Sequence, residues 1–508
     1  MPCQRHSIAL QASASPRQRR QYLWLLGLIL LCLNACVHQP LELSVSESCE
    51  QTLSEWQATR NRSDTRDAQV YSLDDLGVFA INRFLVGLVP KLDTLAGKEF
   101  WLRESWRLAQ EQRQIELANL WPALPGEERQ EIERCAQQAL NEQLALAVQG
   151  FGLDLASPEI PDDYRLWRRI FGLYPLTRLF VLPPLRAEQA QSRAQFQRVS
   201  PPASTRWYQL PELEQRLNPA KISSLLQVAR ASNPLGLPVL DGAVLQTLMA
   251  QYAPGWAIDT RSASDQPGRV NWQTPVQINI DQQQPAMYTL ASYTHFQNEI
   301  LLQLNYFIWF SQRPKSGKLD LYGGQLDGLI WRVTLRANGE VLAYDSIHQC
   351  GCFHQFFPVD KRLKTKPAMA FQEPLLVLNK DIPDGLRERV IVQLTHSTHS
   401  VVGLQSQSFR AAQIDSDSRP AASNESYVPL VLYDYNELRS LSVDDRRQSL
   451  FADNGLIPVS RRLERWLLWP MGIESAGAMR QWGHHATAFV GRRHFDDADL
   501  LESLFYYE

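Results

Sequence analysis

The chain has 508 residues, room for two to four domains with cores of their own, and its 44% hydrophobic and 21% charged residues are those of an ordinary globular protein. A formal net charge of −3 gives no basic footprint from which to expect nucleic acid as a partner. No Walker A loop, dinucleotide fingerprint, Cys-x-x-Cys-His haem site or His-Glu-x-x-His stands in the sequence, so the common enzyme signatures are absent.

Residues 1–35 carry Arg5, Arg17, Arg19 and Arg20 and no acidic residue. They lead into YLWLLGLILLCLNAC, Tyr22 to Cys36, an apolar run shorter than the roughly 20 residues a spanning helix needs. A basic segment before a short apolar one reads as a secretory signal. Its end, Leu33-Asn34-Ala35-Cys36, resembles the lipobox of bacterial lipoproteins, with Asn34 where a small residue is usual. The resemblance covers residues 22–36 alone. It implies cleavage before Cys36, acylation of that thiol and a membrane tether through the acyl chains. Val37 in place of Asp implies an outer-membrane address, facing the periplasm of the cell envelope. Losing residues 1–35 takes the net charge from −3 to −7, a surface mildly repelled by anionic lipid, so the anchor rather than electrostatics would hold it.

Cys3 and Cys32 leave with the signal and Cys36 takes lipid, which leaves Cys49, Cys135, Cys350 and Cys352 in an oxidising compartment. If disulfides form, Cys49 pairs with Cys135 and Cys350 with Cys352.

After a tether over 36–48, residues 49–197 read as helical. KEFWLRESWRLAQEQRQIELANLW spaces Trp101, Leu108 and Ile115 at two-turn intervals and stops at Trp121-Pro122. LPGEERQEIERCAQQALNEQLALAVQGFG puts Ile132, Cys135, Ala139 and Leu140 on one stripe and closes at Gly150. PDDYRLWRRIFGLYPLTRLF predicts a shorter helix ending near Gly172 to Pro175. A linker, Arg198 to Arg206, opens a mixed region over 207–410. Within it, β-branched and aromatic runs over 270–410 predict a central antiparallel sheet. Residues 411–426 are polar and linker-like, and 427–508 predict a helical C-terminal segment. The fold class expected is α+β.

One hairpin can be registered. Asn338-Gly339 separates two strand-like runs, and counting outward pairs Leu335 with Leu342, Val333 with Tyr344, Arg332 with Asp345 and Leu329 with His348. His348 then stands where the strand gives way to QCGCFH.

That segment is the chemical candidate. His348, Cys350, Cys352 and His354 alternate, which on a straight strand spreads them over about 20 Å; Gly351 could fold them together, with His399 or His396 of LTHSTHS completing a zinc site. A strained Cys-Gly-Cys dithiol, or a structural clip with hydrogen-bonded histidines, are the other readings. A helical His295/Glu299 metal pair is disfavoured because Gln297-Asn298 predicts a turn between strands. Arg480, His484, His485, Arg492, Arg493 and His494 could cradle an anion or pair with neighbouring aspartates. Two classes of function stay open: a structural or binding lipoprotein, and a periplasm-facing metal-dependent or thiol-based enzyme centred on 348–354.

Overall fold

The computed structural model describes residues 43, 45–148, 158–197, 200–317, 319–367, 372–409 and 427–508. The signal segment, the lipidation candidate Cys36, the helix stop at Gly150 and the linker 411–426 lie outside these residues.

Four helices open the described chain: α1 (Glu47–Arg62), α2 (Arg83–Leu88), α3 (Leu95–Asn119) and α4 (Gly126–Val148). Local chemistry sets their ends. The Asn82 side chain accepts the Leu85 N–H at the start of α2, and Thr94 accepts the Gly97 N–H at the start of α3. The chain leaves α3 just before a cis Trp121-Pro122 bond, where the sequence predicts the stop. On α4 the predicted stripe of Ile132, Cys135, Ala139 and Leu140 is buried. Cys135 bonds to Cys49 of α1, as the cysteine arithmetic expects. The bridge closes a sequence separation of 86, which the loop-entropy model values at about 4.6 kcal/mol.

The third predicted helix is two. α5 (Leu166–Phe171) ends at Gly172, and α6 (Tyr174–Gln195) starts two residues later. Leu173 turns the chain with a left-handed φ of 49°, and Pro175 sits in the first turn of α6, where no N–H is needed. A Pro read as a terminator is here an initiator.

The chain is α+β, as expected, and its central sheet is antiparallel except at its two edge pairs, but the strands divide between this sheet and a smaller mixed one, with 269–281 forming a separate antiparallel pair. The strands of the two sheets are β1 (Thr205–Gln209), β2 (Gly255–Asp259), β3 (Ala286–Phe296), β4 (Glu299–Arg313), β5 (Gly324–Leu335), β6 (Val341–His348), β7 (Gln355–Pro358), β8 (Leu376–Val377), β9 (Glu388–Leu394), β10 (Val401–Ser408), β11 (Val428–Pro429) and β12 (Val431–Asp434). The larger sheet runs β8-β7-β6-β5-β4-β3-β12, the smaller β10-β9-β2-β1-β11. The run ERVIVQL departs from expectation because it pairs parallel to β2, not with the larger sheet's strands. Trp256, Ile258 and Val392 of the smaller sheet and Tyr306, Trp331 and Val333 of the larger share one core. Helices α7 (Pro219–Ala231) and α8 (Gly242–Gln251) add Ile222, Leu226 and Leu248 to it. The other face of the larger sheet is also covered, because Phe307, Trp309 and Ile330 pack with Tyr435, Phe451 and Phe495. Burial on both faces explains why β4 reads as a near-continuous apolar run. The C-terminal segment supplies that cover and is only loosely helical. It carries α9 (Glu464–Leu468) and α10 (Leu500–Leu504) among 3-10 turns and loops.

The registered hairpin is β5–β6. Val333 pairs with Tyr344, Arg332 with Asp345 and Leu329 with His348, as counted from the turn. Leu335 pairs with Val341 instead of Leu342, and an irregularity before Ala343 restores the register.

Candidate functional site

β6 delivers His348 to the sheet's rim, and the chain turns over before β7 leaves at Gln355. Backbone bonds hold this turn: Gly351 N–H donates to the His348 carbonyl at 2.7 Å, and His348 N–H to the Cys352 carbonyl at 3.0 Å. Gly351 has a φ of +88°, and a Cβ there would lie 2.6 Å from the Ala486 carbonyl oxygen, so this position needs glycine. Arg480 Nε also donates to the Cys350 carbonyl at 3.1 Å.

The turn does not gather the predicted ligands. His354 is committed to the Asp345 carboxylate at 2.8 Å, and Arg332 Nε donates to the other oxygen of Asp345 at 2.9 Å. The Arg332 guanidinium also lies over the Phe495 ring at 3.6 Å. Burial lowers the His354 pKa to about 4, so the ring is neutral and donates from Nε2. Burial pushes Asp345 the other way, but Arg332 and the His354 bond more than offset it and hold the carboxyl below its usual range.

His399 belongs to a second network. It stacks on Phe310 at 3.8 Å, reaches Asp327 of β5 at 2.7 Å through Nδ1, and faces Asp265 at 3.5 Å through Nε2. Burial alone would lower its pKa; the nearby Asp265 carboxylate and the hydrogen bond to Asp327 overcome this and raise it. It stands between two carboxylates that favour its charged form, and it ties the loop after β9 in the smaller sheet to the larger one. His348 stands 4.0 Å from the other oxygen of Asp327, and burial lowers its pKa to about 4. His396 bonds only its neighbour Ser397 among these groups, at 3.0 Å.

The expected Cys350–Cys352 bridge is not formed; both thiols are free, Cys350 buried and Cys352 half-buried. The two thiols interact. A hydrogen bond with Cys350, then burial, raises the Cys352 pKa well above its ordinary value, so this sulfur is a thiol and not a thiolate at neutral pH. Among the described residues no group of three or more His, Cys, Asp or Glu side chains is arranged to hold a metal ion.

What the turn does build is a wall. Cys350, Gly351 and Cys352 line a cavity of about 490 Å³. Its ionisable lining includes the buried Asp327, His348, Arg462 and Glu464, the half-buried Arg313 and Glu373 and the exposed Glu188. Phe180, Pro184 and Leu185 of α6 and Leu467 and Leu468 of α9 form an apolar side, with Phe180 and Leu467 exposed. Burial raises the Glu464 pKa to about 7, which leaves this carboxyl poised between its two forms. Sequence reading reached the thiols and His348 but missed Asp327, Arg462 and Glu464. No spacing marks them; only strand register for Asp327, and the arrival of α9 from over 100 residues away, bring them here.

Three other described histidines, His295, His484 and His494, face carboxylates. Gln297 and Asn298 form the predicted turn, Phe296 faces Glu299, and His295 bonds Asp499 at 2.7 Å. His494 lies within 3.6 Å of Asp162, Asp163 and Asp497, and Arg493 within 3.6 Å of Glu373. Of the cationic cluster, His484 pairs with Asp163, Arg492 with Asp162 and His494 with both, whereas among the described residues Arg480 bonds only the carbonyls of Cys350, Glu474 and Ser475, and His485 makes no ion pair. Comparison with family models, with curated proteins and with solved structures finds no match to this chain.

Proposed function

We propose that this chain is a lipid-anchored protein of the cell envelope, facing the periplasm, that binds a small amphipathic molecule. The observation that carries the binding reading is the cavity behind the Cys350-Gly351-Cys352 turn. Its volume of about 490 Å³ lies in the range of small-molecule sites, and it sets a few buried charges of both signs opposite apolar walls. The Cys/His segment serves as a structural clip that shapes this wall: His354 anchors it to Asp345, and backbone bonds close the turn. The anchor is the acylated Cys36 that the lipobox-like segment implies.

Two experiments test this. Labelled palmitate should enter the wild-type chain and not the Cys36→Ser variant; no label in the wild type ends the anchor. A short-chain zwitterionic lysophospholipid, titrated calorimetrically, should bind at one saturable site. Leu185→Trp and Leu468→Trp, which fill the apolar side, should each weaken it by about tenfold or more. Absence of saturable binding, or indifference to both substitutions, removes the binding reading.

One observation supports the enzyme reading instead: the two interacting thiols lie on the cavity wall. Alkylation of Cys352 faster than that of an unfolded thiol, or about one zinc ion per chain on metal analysis, would favour it.

A further inference from the structure

The cavity's apolar side continues onto the surface. Among the described residues, twelve of the twenty-three exposed large apolar side chains fall in the two short segments 166–180 and 459–467. Phe180 is 80% exposed, Phe171 74%, Trp466 68% and Leu467 63%. The segments are neighbours in space. Arg165 N–H donates to the Gly472 carbonyl at 2.9 Å, Arg169 Nε to the Met471 carbonyl at 2.8 Å, and a Cβ on Gly172 would lie 2.5 Å from Pro470. Monomers rarely leave so large a contiguous apolar face in water.

We propose that the face made by α5, α6 and α9 lies on an anionic lipid bilayer, with the cavity opening into it. Charge selects this occupant. Arg186 is exposed and Arg168, Arg178 and Arg465 are half-buried on this face, while Arg169 is buried against the Met471 and Gly491 carbonyls; residues 166–187 hold no acidic residue, Glu188 following them, in a chain whose net charge is −3. The overall charge repels anionic lipid, but this patch has the opposite sign. Arg168 lies over Trp167 at 5.2 Å, and Arg465 over Trp466 at 5.0 Å. Tryptophan beside arginine, with Leu, Ile and Phe around them, is the composition of a helix face lying in the interfacial layer. Among the described residues no helix is long and apolar enough to cross a membrane, so the face would lie on the surface and not span it. A further argument rests on the anchor proposed above, whereas the charge argument does not. Ten residues separate Cys36 from the start of α1 at Glu47. They reach at most about 35 Å, which would keep the folded part close to the bilayer.

The test is hydrogen exchange of the full chain, with and without vesicles of mixed phosphatidylcholine and phosphatidylglycerol. It is run on wild type, on Cys36→Ser, and on Phe180→Glu/Leu467→Glu in the Cys36→Ser background. Both glutamates replace exposed side chains, so the core is left intact; unchanged thermal melting confirms that. The expected result is vesicle-dependent protection of 166–186 and 463–470 in wild type and Cys36→Ser, weaker on pure phosphatidylcholine. The charge-bearing variant should lose this protection and, in flotation, bind vesicles at least about tenfold less than its parent. Equal protection in parent and variant overturns the proposal. So does protection already present without lipid: if it grows with protein concentration a second copy covers the face, and if it does not, a segment of the same chain does. Loss of palmitate labelling with the vesicle footprint kept would end the anchor and leave this face standing.

Discussion

Two carboxylate–histidine networks flank β5 and β6, built from the same side-chain types and titrating in opposite directions. Around Asp345, the Arg332 guanidinium already balances the carboxylate, so His354 gains little from a proton and burial keeps it neutral, at about 4. Around His399 two carboxylates, Asp265 and Asp327, converge and favour the protonated imidazole, so its pKa is raised. Burial alone therefore does not set a histidine's charge here. The count of fixed charges packed against it does.

Breaking the first network should have the largest effect. Arg332→Met leaves Asp345 buried without its cation, at a cost of about 3–5 kcal/mol. The Arg332→Met/Asp345→Asn double variant should cost clearly less, since it buries no lone charge. In the single variant His354 should behave like His399, its pKa rising from about 4 toward neutrality in histidine NMR titration. A His354 that stays near 4 beside an unpaired Asp345 would contradict the charge-count argument.

The second network is next. His399→Gln keeps a polar group between the carboxylates but removes the charge, and should cost about 2–3 kcal/mol at pH 6 by urea unfolding. The pH dependence separates the two sites. The folded pKa of His399 is raised above 6.5, so its contribution is complete below pH 6.5 and is lost as pH rises through the folded value. His354 and His348 are lowered to about 4, so the unfolded chain binds more protons between pH 6.5 and 4, and stability falls as pH falls through that window. His399→Gln should flatten the alkaline limb and leave the acid limb. It will not abolish the alkaline limb, because His494, raised to about 9 by Asp163 and Asp497 despite burial, contributes with the same sign. His354→Gln should do the reverse. Identical pH profiles for the two variants would show that the networks do not differ in charge.

What could be read in the sequence follows from how local each feature is. The β5–β6 register is set by a turn and a two-residue period, so Arg332 opposite Asp345 and His348 at the rim are legible from Asn338-Gly339 outward. The α4 stripe and the Cys49–Cys135 bridge are legible for similar reasons. The split into two sheets is not: β9 pairs with β2, over 100 residues earlier, and nothing in ERVIVQL names its partner. The partners of His399, Asp265 and Asp327, have the same character, whereas Asp345 stands only nine residues before His354 and needs the turn at Gly351 to meet it. The linear neighbours of the histidines drew attention to the thiols, whereas the groups that decide their charge are Asp265, Asp327 and Arg332. The start of α6 is not legible, because Pro175 after Gly172-Leu173-Tyr174 serves equally as a stop or as a first-turn residue.

The smallest effect is expected at the residues most conspicuous in the sequence. The turn between the two networks is closed by backbone bonds from Gly351 and His348, and its thiols make no bridge. Cys352→Ser, at a half-buried position, should therefore change stability by less than about 1 kcal/mol and leave both limbs of the pH profile in place. Gly351→Ala, one residue away, should be far worse, because its φ of +88° and the Ala486 carbonyl at 2.6 Å leave no room for a Cβ. Thermal melting of the two variants side by side makes the contrast. If Cys352→Ser were the more damaging, the sulfur would be holding the segment, through metal or through a bridge to Cys350, and the two networks would owe their geometry to it and not to the backbone.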